Sequence, residues 1–317
     1  MKTNVPVSAI LPTRNRANLL KRFLKSLNEQ TVWPTEIVIC DASDDEATAS
    51  VVRSAQTEWS DASVKWVYQK AERRGLAPQR NQAVDAASQT FVWFLDDDVI
   101  LEPECLGQMY RCISTNDQVG GVTATIVNQG YVPPGRFTSL LMTWFDQGMK
   151  RSTYSAACVG PGYTFMPETS LDMPETQKAE WLIGCCSMYR RSMLPSPAVP
   201  AHFEGGALGE DLAASLFVGL RHELLHVRDA RCYHDSQGGD HKKSWRALAD
   251  QGLRNRYYIM TQVMGRQSVR DHFDFVLMFA FSLASLLRQP STWRYIPANL
   301  AGYIQAVWKL VHSGNHG

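Results

Sequence analysis

Phe91-Val92-Trp93-Phe94-Leu95-Asp96-Asp97-Asp98 is the stretch on which the fold turns: five apolar residues without interruption, then three carboxylates. A strand buried on both faces reads as a continuous apolar run, whereas a half-exposed strand alternates apolar and polar residues. Similar short runs fall at residues 7–11, 36–40, 64–68 and 119–125. Helical patterns separate them. Between the first two runs, Leu19, Leu20, Phe23, Leu24 and Leu27 recur at the spacing of one apolar helix face. Residues 47–56, 77–87 and 103–114 are the other early helix candidates. This alternation predicts an α/β fold with a mostly parallel central sheet flanked by helices.

In open sheets of this kind, ligands bind beyond the carboxyl ends of the strands. Four such ends are polar: Pro12-Thr13-Arg14-Asn15-Arg16, Asp41-Ala42-Ser43-Asp44-Asp45, the segment from Gly75 to Arg80-Asn81, and Asp96-Asp97-Asp98. They are expected to converge on one crevice. If strand geometry continues through the acidic run, Asp96 and Asp98 point to one side and Asp97 to the other. Two close carboxylates repel unless a cation lies near them. A hard divalent ion such as Mg2+ or Mn2+ prefers carboxylate and phosphate oxygens. The bland alternative is a solvated acidic turn capping the helix near Glu102, and Asp41 or Asp44 would serve equally as helix caps.

Four stretches stand together: Ile10-Leu11-Pro12-Thr13-Arg14-Asn15-Arg16, Val38-Ile39-Cys40-Asp41-Ala42-Ser43, Gly75-Leu76-Ala77-Pro78-Gln79-Arg80-Asn81 and Phe94-Leu95-Asp96-Asp97-Asp98. In that order and spacing they resemble the family 2 glycosyltransferases of the GT-A fold, over roughly the first 235 residues. The resemblance implies an inverting, Mg2+- or Mn2+-dependent transfer from a nucleotide-diphosphate sugar, with a UDP-sugar slightly favoured. The acceptor would be a hydroxyl of a glycan or polyprenyl-linked saccharide in bacterial cell-surface polysaccharide biosynthesis. Pro12, Thr13 and Arg14 would line the base and ribose, and Asp41 would accept a hydrogen bond from the base. Arg80 would contact the base or the diphosphate. Asp96 would meet the ribose or a metal-bound water, Asp97 would join the donor site, and Asp98 would ligate the metal.

The same resemblance extends to Gly209-Glu210-Asp211, behind the flexible-looking Glu204-Gly205-Gly206-Ala207-Leu208. Glu210 would lie at the acceptor, and Asp211 would take the proton of the attacking hydroxyl. The dipole and free N–H groups of a helix start favour the charged form of a carboxylate. A plain helix cap fits that spacing equally well. His234 would complete the metal or diphosphate site, while His222 and His226 read as structural. The glycine-bearing stretch 235–243 would either close over the diphosphate, with Lys242 or Lys243 offsetting leaving-group charge, or form a disordered loop. Trp181 opens an expected strand over residues 181–190 and would stack on an acceptor sugar or pack in the core. A strand pair is expected over residues 224–227 and 230–233, and loops with short elements over residues 128–178.

These features predict a catalytic domain over residues 1–240, with a nucleotide half 1–127 and an acceptor half 128–240, and a helical extension over 241–317. From Lys242 to Lys309 the chain carries ten Lys/Arg and three Asp, +7, against +1 for the whole. A basic, aromatic C-terminal fifth points to phosphates or a membrane surface. Its apolar segments, 273–287 and 295–311, are shorter than the roughly 20 residues a spanning helix needs. They suit interfacial attachment, with packing on the core or a homodimer contact as the competing reading. The Gln251-Gly252-Leu253-Arg254-Asn255-Arg256-Tyr257-Tyr258 segment resembles an arginine–tyrosine helix found in bacterial members acting on lipid-linked glycans. Seven cysteines without a C-x-x-C pair, and an N-terminal apolar run of only residues 5–11, predict reduced thiols and a cytoplasmic chain. No nucleic-acid partner is expected. A sugar-1-phosphate nucleotidyltransferase would need a glycine-rich loop after the first strand, and residues 12–16 contain no glycine. A degenerate, non-catalytic glycan- or nucleotide-binding scaffold is opposed by Asp96, Asp98 and Asp211 together.

Overall fold

The computed structural model describes residues 3–59, 63–203, 208–236 and 244–313. In chain order they form β1 (Thr3–Thr13), α1 (Ala17–Asn28), β2 (Val32–Asp41), α2 (Ala47–Glu58), β3 (Lys65–Lys70), α3 (Leu76–Ala86), β4 (Phe91–Leu95), β5 (Val99–Leu101), α4 (Cys105–Ser114) and β6 (Val119–Ile126). Then follow α5 (Arg136–Phe145), β7 (Cys158–Val159), β8 (Tyr163–Thr164), β9 (Thr176–Ala179), β10 (Cys186–Arg190), α6 (Glu210–Gly219) and β11 (Glu223–His234). The helices α7 (Trp245–Tyr258), α8 (Val269–Ser285) and α9 (Ile296–Ser313) complete the order. Two compact units emerge. One takes the chain to Val132 with residues 155–157 and 165–236; the other takes 133–154, 158–164 and the described chain from Ser244.

In the first unit, nine strands form one sheet among the described residues, ordered β3-β2-β1-β4-β10-β6-β11-β5, with β9 also paired to β11. The first four run parallel, as the alternation of strand and helix predicts. β4 sits between β1 and β10, and none of its five residues is more than 4% exposed. That explains its unbroken apolar run. Each such side chain contributes on the order of 1.5–3 kcal/mol by leaving water. Leu20, Phe23, Leu24 and Leu27 of α1 are buried as the helical spacing required.

Two expectations fail for identifiable reasons. The strand over 181–190 begins only at Cys186, because Gly184 is drawn out of the pleat toward a helix start. The strand pair over 224–233 is one strand, β11, whose register jumps between Val227 and Arg231. That irregularity lets its first half pair β9 and its last residues pair β5, with His234 opposite Val99. Residues 128–178 are loops with short elements, as expected; the longest is the helix α5, which follows directly on Pro133-Pro134-Gly135. Prolines before a helix start cost nothing, since the first N–H groups have no helical partner.

The second unit is helical from Ser244, whose side chain accepts from the Ala247 N–H at 3.2 Å and caps α7. Ser268 and Asp271 form a reciprocal capping box at the start of α8. Trp144 of α5 donates its indole N–H to Asp274 of α8 at 2.8 Å. Residues 133–154 and 158–164, which the sequence assigns to the acceptor half, thus cluster with the C-terminal helices. Among the described residues, no helix is long and apolar enough to cross a membrane. The expected loops with Glu204-Gly205-Gly206-Ala207 and with Lys242-Lys243 lie outside the described residues.

Candidate active site

β4 ends at Leu95, and the acidic run is a turn in which the Val99 N–H reaches the Asp96 carbonyl at 3.4 Å. The three carboxylates therefore diverge by turn geometry, not by the expected strand pleat. Asp96, Asp98 and His234 each bring a ligand atom within 4.8 Å of the others. Asp98 Oδ1 lies 3.2 Å from His234 Nε2. Asp97 turns away: Oδ2 accepts from Thr13 Oγ1 at 2.6 Å, and Oδ1 accepts from Arg16 Nη1 at 3.0 Å. The same Arg16 nitrogen reaches Asp98 Oδ2 at 3.2 Å. Burial pushes the Asp97 carboxyl up to about 6, although Thr13 and Arg16 pull it down.

His234 arrives through strand register, since its pairing with Val99 sets it beside the residue that precedes β5. Asn128 exchanges two hydrogen bonds with its backbone, at 2.9 and 3.1 Å, and Gln129 Nε2 lies 3.3 Å from Nδ1. Burial disfavours the imidazolium, but Asp98 and Cys185 outweigh it and raise His234 to about 10. Two carboxylates and an imidazole around a common point are a donor set that fits Mn2+ or Mg2+. A bound ion must displace the imidazole proton.

Arg80 joins this cluster to α6. Only 2% exposed, it donates through Nη2 to Asp96 Oδ1 at 2.8 Å and to the Gly184 carbonyl at 2.9 Å. Through Nη1 it donates to Glu210 Oε1 at 2.7 Å. Burial, then the neighbouring charge of Asp211, raises Glu210 to about 8 against the pull of Arg80. Burial likewise raises Asp96, opposed by Arg80. Arg80 itself is raised despite its burial, by Asp96, Glu210 and Asp211. One guanidinium thus serves three carboxylates.

Asp211 stands in the first turn of α6, whose start is set by Gly209 at φ 88°. Its Oδ1 accepts from the Leu212 N–H at 2.8 Å and its Oδ2 from the Gly184 N–H at 3.1 Å. Each carboxylate oxygen keeps a further lone pair for an incoming hydroxyl. Gly184 allows the approach: a Cβ there would lie 2.8 Å from Asp211 Cβ and 3.0 Å from Arg80 Nη1.

The family profile described as Glycosyl transferase family 2 matches residues 8–195. The chain belongs to this family. A Campylobacter jejuni relative named GalNAc(5)-diNAcBac-PP-undecaprenol beta-1,3-glucosyltransferase is 36% identical over 92 residues, 29% of this chain and 29% of its own length. The match thus spans less than a third of that relative. Among solved structures, the Pyrobaculum calidifontis mannosyltransferase PcManGT, in complex with GDP-Man and Mn2+, superposes with a TM-score of 0.56 at 17% identity. The superposition covers 96% of this chain and 87% of that one. Staphylococcus aureus TarS residues 1–349, in complex with UDP-GlcNAc, gives 0.50 at 16% identity, covering 98% and 92%. The fold is GT-A.

In this family 2 chain the expected donor residues fall into two groups. Pro12 and Thr13 are buried at the end of β1, whereas Arg14 is half exposed and 3.6 Å from Asp44. Asp41 is fully buried: Oδ1 accepts from the Ser43 N–H at 2.8 Å, and Oδ2 from Tyr68 Oη at 2.6 Å and Lys70 Nζ at 3.2 Å. A base would reach it only by displacing Tyr68 or Lys70. Arg80, expected beside the base or diphosphate, instead spends both terminal nitrogens inside the protein. Glu210, expected at the acceptor, is turned inward against it. Trp181 is 8% exposed with its indole N–H on the Phe165 carbonyl at 3.0 Å, so core packing, not stacking, describes it. His226 is buried and structural, as expected.

Sequence reasoning missed Arg16 as the bridge between Asp97 and Asp98, and Asn128-Gln129 as the holders of His234. The signal for the latter was present, because both follow the carboxyl end of β6. The strand-end rule had simply not been carried to that strand. Gly184, a glycine inside a strand pattern, was the other overlooked mark of close approach.

Proposed function

We propose that this family 2 glycosyltransferase is an inverting, Mn2+- or Mg2+-dependent enzyme. It moves a sugar from a nucleoside diphosphate, with UDP favoured, to a hydroxyl of a lipid-linked saccharide in cell-surface polysaccharide assembly. One observation carries the reading: Arg80 Nη2 bonds both Asp96 and the Gly184 carbonyl, and the Gly184 N–H bonds Asp211, so one chain of contacts links the candidate metal cluster to Asp211. Donor-side and acceptor-side carboxylates are thereby held at a fixed spacing.

The acceptor hydroxyl attacks the anomeric carbon as the bond from that carbon to the diphosphate oxygen breaks. Asp211 Oδ takes the hydroxyl proton, late, once bond formation has acidified it. The nucleoside diphosphate leaves with the electron pair. Asp96, Asp98 and His234 would hold the divalent ion, which supplies charge stabilisation to the leaving group when bound. Arg16 and Asp97 fix the orientation of Asp98 through the bonds described above. Glu210 orients Arg80 and does not meet the acceptor in this reading.

The lipid-linked acceptor is supported by the undecaprenol-bearing name of the C. jejuni relative and by the basic C-terminal region. With such an acceptor the enzyme works from the cytoplasm, peripheral to the membrane. Calorimetry of UDP-, GDP- and dTDP-sugars with and without Mn2+ tests the donor and metal together. Tight binding that ignores the metal would remove the metal role. Anomeric configuration of the product, read by NMR, tests inversion; a retained configuration would overturn the direct displacement.

A further inference from the structure

The helices of the second unit turn apolar stripes outward. On α9, Leu300, Ile304, Val307, Trp308 and Val311 are 47–65% exposed and recur at helical spacing, while Gly302 faces α7. On α8, Phe273 and Val276 are 57% and 66% exposed, while Asp274, Phe275 and Met278 are buried. On α5, Phe137 and Leu140 are 87% and 70% exposed. The α5 and α8 stripes meet where Arg270 lies over the Trp144 ring, 5.1 Å from its centroid. Apolar surface repeated on three helices marks a docking face.

The charges around it identify what docks. The described residues of this unit carry eleven Lys/Arg and four Asp. All four carboxylates are turned inward, 15% exposed or less, and each is ion-paired: Asp146 with Arg151, Asp250 with Arg254 and Lys309, Asp271 with Arg266, and Asp274 with Arg270. The charge left facing water is positive, with Arg136, Arg288 and Arg294 exposed near the ends of the apolar stripes. A second copy of this chain docking by the same face would set cation against cation with no carboxylate to answer it. A bilayer surface answers both features: its acyl boundary takes the aliphatic and aromatic side chains, and its anionic headgroups take the arginines.

We infer that α5, α8 and α9 seat on the surface of a bilayer rich in anionic phospholipid, lying on it without crossing it. No described helix is long and apolar enough to span. The inference rests on the reading above only for its purpose, which is to bring the enzyme to a lipid-linked acceptor.

The test uses the full chain, without donor or acceptor, sedimented with vesicles of phosphatidylcholine alone or mixed with phosphatidylglycerol. Binding to the mixed vesicles, weakened by salt and absent from neutral ones, is expected. Val276→Asp and Ile304→Asp, both at exposed positions, should each lower partitioning about tenfold. Circular dichroism and unchanged donor affinity would establish that the variants are folded. Equal binding to neutral and anionic vesicles, no binding at all, or unaltered binding by both variants would overturn the inference. A dimer in sedimentation velocity that the same substitutions dissociate would assign the face to a second copy instead. Vesicle binding by a protein that binds no nucleotide-sugar would sink the catalytic reading and leave this one standing.

Discussion

Arg80 Nη1 donates to Glu210 Oε1 across 2.7 Å, joining residues 130 apart in the chain and tying α3 to the start of α6. Lysine has one point charge where Arg80 has a planar fork with three bonded partners. Arg80→Lys should therefore leave Glu210 or Asp96 uncompensated. Breaking a buried pair costs about 3–5 kcal/mol. The urea midpoint should fall accordingly, with transfer activity lost; a midpoint equal to wild type would show that the hub contributes little.

Asp211→Asn keeps the size of the side chain but cannot accept the hydroxyl proton. Transfer should fall by about two to four orders of magnitude, the usual span for losing a general base. Donor affinity measured by calorimetry should stay within a few-fold. Undiminished turnover would remove Asp211 as the base.

Gly184→Ala would force a methyl group 2.8 Å from Asp211 Cβ and 3.0 Å from Arg80 Nη1. Shifting a catalytic group by about 1 Å costs on the order of a hundredfold in rate. The loss should appear in kcat, with donor binding little changed. A substitution that spares kcat would mean that the Gly184 peptide does not set the position of Asp211.

Asp98→Ala removes one carboxylate of the cluster with Asp96 and His234. Mn2+ should then cease to enhance nucleotide binding, while metal-free binding persists. Titration calorimetry with and without chelator separates the two, and an enhancement that survives would take Asp98 out of the metal site.

His226 is fully buried, bonded at 2.7 Å to Thr125 Oγ1, and depressed by burial to about 4. Its folded value lies below the ordinary one of about 6.5, so the unfolded chain binds the extra proton first. The stability it contributes is present above pH 6.5 and is lost as pH falls toward 4, by about 3 kcal/mol in all. His226→Gln keeps a polar partner for Thr125 without a titrating group. Its unfolding free energy should decline less steeply between those pH values than that of the wild type; parallel profiles would mean that His226 is not the sensor.

Much of the donor half was legible because local signals suffice there. The run Phe91–Leu95 announced a doubly buried strand, and the structure pairs it on both edges. Polar strand ends announced the crevice, and Asp96, Asp98 and His234 do converge. Arg80 was less transparent. A basic residue near a phosphate-binding crevice looks like a ligand contact until the burial of its guanidinium and its three internal partners are seen. Trp181 was ambiguous for a related reason, since stacking and packing need the same side chain and differ only in exposure.

By itself, then, the order of apolar runs, helical spacings and polar strand ends determined an α/β fold with a mostly parallel sheet and an acidic run at a strand end, and the resemblance of its motifs to a known family implied GT-A. Those properties are written within short windows of sequence, where pleat and helix periodicity act. Tertiary structure alone decided the rest. The bulged register of β11 brings His234 to Asp98, and the glycine at 184 lets Asp211 close on a peptide held by Arg80. Both depend on distances between segments far apart in the chain. Only packing sets those distances: a glycine in a strand pattern marks a close approach without naming its partner.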